Sequence, residues 1–104
     1  MRREVIWMWA AEVDAQEVFV QLEEQSPGSG LRLVELTDQL LAVLQDFSYI
    51  APVWHAPLGR AVLRKTPYAL FYVVEPKHLV ITGLQDVRRD SDRLRRDLLR
   101  RLPT

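Results

Sequence analysis

GRAVLRKTPYALFYVVEPKHLVITGLQDVRRD, residues 59–90, is the stretch whose reading decides the fold. Its apolar runs are rich in β-branched and aromatic residues and break at Pro67 and at Glu75-Pro76-Lys77. That punctuation reads as three strands, Arg60 to Thr66, Tyr68 to Val74 and His78 to Leu84. Breaks this short leave room only for hairpins, so the three strands form an antiparallel meander. Period two puts Arg60, Val62, Arg64 and Thr66 on one face of the first strand, and Tyr68, Leu70, Tyr72 and Val74 on one face of the second. One sheet face is therefore expected to present arginines beside tyrosine hydroxyls.

Upstream, Glu4-Val5-Ile6-Trp7-Met8-Trp9 reads as a further strand. Both of its alternating sets are apolar, which predicts cover on both faces or an exposed face kept for a partner. Trp7 and Trp9 are read as core in the first case and as a recognition surface in the second. From Ala11 to Gln25, Ala11, Ala15, Val18, Phe19 and Leu22 fall on one helical stripe, with acidic residues outside it. Ser26-Pro27-Gly28-Ser29-Gly30 stops that helix. Leu33, Leu36, Leu40 and Leu44 mark a second one from Leu31 to Gln45. So short a connection folds the pair back as an antiparallel hairpin. Phe47 to Leu58, with Pro52, His55 and Pro57, has no period and reads as a loop. Ser91 to Leu102 is a last helix, striped by Leu94, Leu98 and Leu102 and capped by Asp90 or Ser91. The expected fold is α+β, in the order β-α-α-β-β-β-α: a two-helix hairpin packed on an antiparallel β-sheet, with a C-terminal helix, as one domain over residues 1–104.

With 104 residues, 48% of them hydrophobic and 27% charged, the chain is of globular type rather than disordered. Without cysteine it has no disulfide, thiolate zinc site or cysteine nucleophile. No apolar run approaches the ~20 residues of a membrane span, so a soluble cytoplasmic protein with no membrane partner is expected. The net charge is zero, yet residues 1–52 carry three basic and nine acidic side chains, and residues 53–104 carry eleven basic and five acidic. Such polarity suits an acidic partner or nucleic acid on one face; equally, the two halves neutralise each other in the fold.

His55 and His78 are the only histidines and lack metal-ligand spacing, so no metal or other cofactor is expected. Gly28 and Gly30 lie between helices and read as a turn, not a phosphate cradle. What remains is guanidinium and phenol chemistry. Arginine binds phosphate bidentately and stabilises charge developing on it, while the alternative is that Arg60 and Arg64 solvate an open face or pair with Glu12 and Glu17. In the last helix Asp90, Asp92 and Asp97 interleave with the arginines, which makes a mixed-charge surface more than a polybasic patch.

Residues 59–90 resemble the C-terminal half of the RelE/ParE superfamily of bacterial toxins. The likeness rests on an arginine-led strand (Arg60, Arg64), the aromatic set Pro67-Tyr68 with Tyr72, the strand Leu79 to Thr82, and the closing Arg88-Arg89-Asp90. The upstream order of strand, helix, break and leucine-periodic helix fits as well, so the resemblance covers nearly the whole chain. It implies the toxin of a type II toxin–antitoxin (plasmid stabilisation) module, held inactive by a cognate antitoxin, in a heterotetramer or larger complex. It also implies one of two targets: DNA gyrase, bound without cleavage, or messenger RNA cut on the ribosome.

Many relatives carry a histidine where this chain has Gln85 or Asp86. An amide transfers no proton near neutrality, so an RNA-cleaving member would draw its base from Tyr68, Tyr72, Lys65, His78 or Asp86. The expected target-binding residues are Arg60, Arg64, Lys65, Gln85, Arg88 and Arg89. Arg64, Arg88, Tyr68 and Tyr72 would be catalytic if RNA is cleaved. The missing histidine favours a gyrase-type binding toxin over an endoribonuclease, with a fold-retaining member of lost toxicity as the third reading.

Overall fold

The computed structural model describes residues 2–103. The chain forms β1 (Glu4–Trp7), α1 (Trp9–Gln25), α2 (Ser29–Asp46), β2 (Val53–His55), β3 (Leu58–Val62), β4 (Tyr68–Val74), β5 (His78–Asp86) and α3 (Ser91–Arg100). Between α1 and α2 the backbone reverses at Gly28, whose φ of 93° lies in the left-handed region that favours glycine. The Glu23 carboxylate holds this reversal, accepting the N–H of Gly28 at 2.8 Å and that of Leu31 at 3.1 Å. Its charge also suits the N-terminus of α2. The expected helical hairpin is therefore present.

The five strands lie in the order β1-β5-β4-β3-β2. The meander β3-β4-β5 is antiparallel, as the short breaks predict. The sheet as a whole is mixed, which corrects the expectation of an antiparallel sheet: β1 runs parallel to β5, from Glu4 opposite His78 to Trp7 opposite Ile81. These partners are separated by most of the chain, and the helical hairpin carries the backbone across the sheet between them. The supposed loop contains the edge strand β2, which pairs with β3 through Val53 and His55. The first meander strand also sits earlier than expected. It ends at Val62, and residues 63–67 form the turn, tied by Thr66 Oγ1, which donates to the Leu63 carbonyl at 2.9 Å and accepts the Tyr68 N–H at 3.1 Å. Lys65 occupies the left-handed region within that turn (φ 62°).

Both sheet faces are covered. Leu33, Leu36 and Leu44 of the hairpin pack on Leu70, Tyr72 and Ile81, all buried. On the opposite face Leu94 and Leu98 of α3 pack on Leu58, Ala69 and Phe71. The amphipathic α3 is thus a third layer. Its first turn is capped by Asp90, whose carboxylate accepts the N–H groups of Asp92 and Arg93. Trp7 packs against the hairpin core, whereas Trp9 opens α1 and is 78% exposed.

β5 carries a bulge. Phe71 opposes Gly83 and Tyr72 opposes Ile81, which leaves Thr82 without a cross-strand partner. β1 ends opposite Ile81, so the far edge of β5 has no strand beyond that point. Side chains satisfy it instead: Asp14 of α1 accepts the Leu84 N–H at 3.1 Å, and Arg101 donates to the Thr82 carbonyl at 2.9 Å. The two also pair with each other bidentately, at 2.6 and 3.0 Å. One buried ion pair thereby joins α1, β5 and the end of α3.

Candidate functional site

Tyr68 opens β4 because Pro67 cannot continue the turn as a ladder donor, and the Pro67 carbonyl accepts the Val87 N–H at 2.8 Å. That bond brings the end of β5 and residues 87–89 alongside Tyr68. Opposite them stands the acidic face of α1. The result is a cleft of about 510 Å³ lined by Glu17, Gln21, Tyr68, Gln85, Arg88 and Arg89 among others.

The cations in this cleft are engaged. Arg88 donates from Nε and Nη2 to the Asp86 carboxylate, at 3.0 and 2.6 Å, and its backbone N–H donates to the same group at 2.8 Å. These hydrogen bonds hold the Asp86 carboxyl below the ordinary carboxylate range, and they push the Arg88 guanidinium up. Asp86 is consequently a fixed anion rather than a proton acceptor at neutral pH. Arg89 donates to the Gln85 side-chain carbonyl and lies 4.0 Å from Asp97.

Of the residues expected to act together, Tyr68, Gln85, Arg88 and Arg89 meet here. The others do not. Tyr72 is 1% exposed, its ring lying over Gly59 and its hydroxyl without a hydrogen-bond partner; burial pushes this phenol up. Arg60 stands opposite Phe71, on the sheet face that α3 covers, with its guanidinium 5.7 Å from the centre of the Trp54 ring. The expected alignment of Arg60 with the tyrosines fails because the strand's own phase pairs Gly59, not Arg60, with Tyr72. Arg64 and Lys65 project from the β3–β4 turn, Arg64 beside Leu40 and Val62, Lys65 beside Arg32 and Tyr68. Neither Arg60 nor Arg64 forms an ion pair with Glu12 or Glu17. His78 lies at the other end of β5, 3.9 Å from Glu4 and from Glu75, and His55 packs edge-on to Trp54.

The wall contributed by α1 was outside the sequence reading. Asp14 reads as part of a solvated acidic face but is 6% exposed. Its signal was its place three residues from buried Ala11, on the boundary of the apolar stripe. Glu17 and Gln21 follow at helical spacing on the same side. Chemically, the cleft offers a phenol, three amides, one unpaired carboxylate and two guanidinia already in contact with acceptors. Such a surface suits polar recognition. Among the described residues no cluster of acidic residues and histidines could hold a metal ion, and no helix is long and apolar enough to cross a membrane.

No family model matches this chain, and no curated protein does. A solved structure described as the chromosomal ParDE TA system from P. aeruginosa is similar to it, with a TM-score of 0.70 and 16% identity over 82% of this chain and 96% of that one. The fold of helical hairpin, five-stranded mixed sheet and C-terminal helix is thus shared with that structure.

Proposed function

We propose that this chain is the toxin of a toxin–antitoxin module, neutralised by a cognate antitoxin protein in a heterotetramer or larger complex. It acts in the cytoplasm by binding a target such as DNA gyrase rather than by cutting RNA. Two things support the toxin reading: the sequence resemblance to the RelE/ParE superfamily over nearly the whole chain, and the ParE-like fold. The preference for binding rests on one observation. Of Arg64, Arg88, Tyr68 and Tyr72, the set an RNA-cleaving relative would use, only Tyr68 and Arg88 line the cleft, and Arg88 already holds a carboxylate. In-line cleavage requires a base and free charge stabilisation within hydrogen-bond reach of one phosphate.

Induced expression in a bacterial host tests the reading. Growth arrest, trapped gyrase–DNA complexes and intact transcripts are expected, with rescue by co-expression of the cognate antitoxin. Transcript cleavage that disappears in Arg64→Ala or Arg88→Ala would replace binding by nuclease action. Normal growth with neither target affected would leave a fold-retaining protein without toxicity.

A further inference from the structure

The last helix reads as mixed charge in the sequence, and the fold sorts those charges. Residues 88–101 hold seven arginines and three aspartates. Asp90 is spent on the helix cap, accepting the Asp92 N–H at 2.9 Å and the Arg93 N–H at 3.3 Å. Two arginines are spent as well: Arg88 is held by Asp86, and Arg101 by buried Asp14. Asp92 stands in the first turn, where the helix dipole favours it, and pairs with no arginine. Asp97 is shared, 3.8 Å from Arg100 and 4.0 Å from Arg89. Among the described residues Arg93 and Arg96 make no ion pair.

The free arginines share one face. An α-helix turns about 100° per residue, so Arg93, Arg96 and Arg100 fall within about 60° of its circumference. That side is opposite Leu94 and Leu98, which pack on the sheet. All three arginines are exposed, the side chain of Arg100 at 77%. The polarity of the sequence thereby becomes a polarity in space. Residues 9–46, the hairpin layer, carry eight acidic side chains and one basic one. The sheet separates that layer from α3. A polyanion is repelled from one side of the molecule and drawn to the other.

The chemistry of this ridge selects among polyanions. Its cations are all arginine, whose planar guanidinium grips phosphate oxygens bidentately. An anionic membrane needs a free apolar face, and α3 has its leucines on the sheet. A protein partner needs a buried anchor, and a single strand needs aromatic rings to stack on. The outer face has neither, and α3 contains no aromatic residue. Its only side-chain acceptors are aspartates, which the arginines flank, so an RNA 2′-hydroxyl gains little here. What remains is duplex DNA. Arg93 and Arg100 lie about 10 Å apart along the helix axis, the rise of about three steps on one DNA strand.

We propose that α3 binds the phosphate backbone of duplex DNA through Arg93, Arg96 and Arg100, without reading sequence, and that Asp97 weakens this grip by sharing Arg89 and Arg100. This contact goes beyond the toxin reading and does not depend on it.

Fluorescence anisotropy of a fluorescein-labelled duplex tests it. About 20 base pairs, ~68 Å long, outreach the 38 Å longest dimension of the protein. A dissociation constant on the order of 1–100 µM is expected at physiological salt, with log affinity falling against log salt at a slope of about −3. Arg93→Gln/Arg96→Gln/Arg100→Gln should lose about tenfold in affinity and most of that slope. The corresponding triple lysine variant should stay within about threefold of the parent, because it keeps the charge. Asp97→Asn should bind more tightly and steepen the slope by about one, a gain that misfolding cannot imitate. Amide resonances of Arg93, Arg96 and Arg100 should shift on titration, and those of the hairpin should not. The DNA contact is overturned by any of four results: no binding, binding indifferent to salt, a glutamine variant equal to the parent, or an Asp97→Asn protein equal to the parent. It is overturned equally if single-stranded DNA, an RNA duplex of the same length, polyglutamate or phosphatidylserine vesicles bind more tightly than the DNA duplex.

Discussion

Two aspartate–arginine pairs in this molecule have nearly the same geometry and opposite consequences. Asp14–Arg101 and Asp86–Arg88 both close to 2.6 Å. The first is buried, with side chains 7% and 21% exposed, and each partner also satisfies a backbone group of β5. The second is open to solvent on its arginine side, where Arg88 is 72% exposed. Burial makes the first pair a structural joint, because either charge left alone would be stranded away from water. Exposure leaves the second with little weight in folding, but it sets the charge of the cleft by occupying the guanidinium. Contact distance alone does not distinguish a joint from a regulator of site charge. Surroundings do.

The comparison breaks most visibly at Arg101. Arg101→Met should destabilise the protein by about 3–5 kcal/mol in urea denaturation, because it strands the Asp14 carboxylate. Adding Asp14→Leu should recover part of that loss. Recovery will be incomplete, since the Leu84 N–H and the Thr82 carbonyl lose their partners, at about 1–3 kcal/mol each. Full recovery would mean that the backbone contacts carry nothing. A smaller loss, about 1–3 kcal/mol, is expected for Gly59→Ala. Its new Cβ would stand 2.6 Å from the Tyr72 ring, which must shift to admit it.

Asp86→Asn should leave the melting temperature nearly unchanged while freeing Arg88, so anion binding in the cleft strengthens and its salt dependence steepens. The pH dependence follows from the direction of the Asp86 shift. Its carboxyl is depressed in the folded state, so its stabilising contribution is complete above the ordinary carboxylate value of about 4 and disappears as pH falls through the depressed value. Cleft charge should therefore be flat from about pH 5 to 8, which a carboxylate NMR titration would check. Least of all, Tyr72→Phe should change stability by about 0–1 kcal/mol, in the stabilising direction, because it removes a buried hydroxyl that has no partner. Growth arrest should survive it. A collapse of toxicity in a well-folded Tyr72→Phe protein would restore that phenol to a functional role.

The helices and the meander followed directly from local pattern. Leucine spacing, the Ser26–Gly30 break and the prolines at 67 and 76 each act within a few residues of where they stand. What escaped was set by distant partners. Val5, Trp7, Ile6 and Met8 are apolar on both alternating sets, so nothing local chooses between neighbours or directions for β1. Val53-Trp54-His55 is a strand only because β3 lies beside it, between prolines that otherwise signal a loop. The site was half visible for the same reason. Gln85, Arg88 and Arg89 are close enough in sequence to be found together, and Tyr68 stands opposite Asp86 in the ladder, next to the Pro67–Val87 backbone bond. Arg60 falls on the face opposite Tyr72 because β3 registers on β4 one residue away from the expected alignment, and one residue sends a side chain to the other face.

The unpaired Thr82 has a consequence of this kind for the whole protein. Upstream of it Leu79 and Ile81 point toward the helical hairpin; downstream Leu84 does so too, at an odd interval that an unbroken strand would forbid. A strand in which that threonine took an ordinary ladder place would keep every residue of its sequence. Leu84 would then turn toward α3, Gln85 would be driven among the leucines, and the acceptor for Arg89 would vanish from the surface. Position 82 works as a clutch between the half of β5 that builds the sheet and the half that faces the outside world.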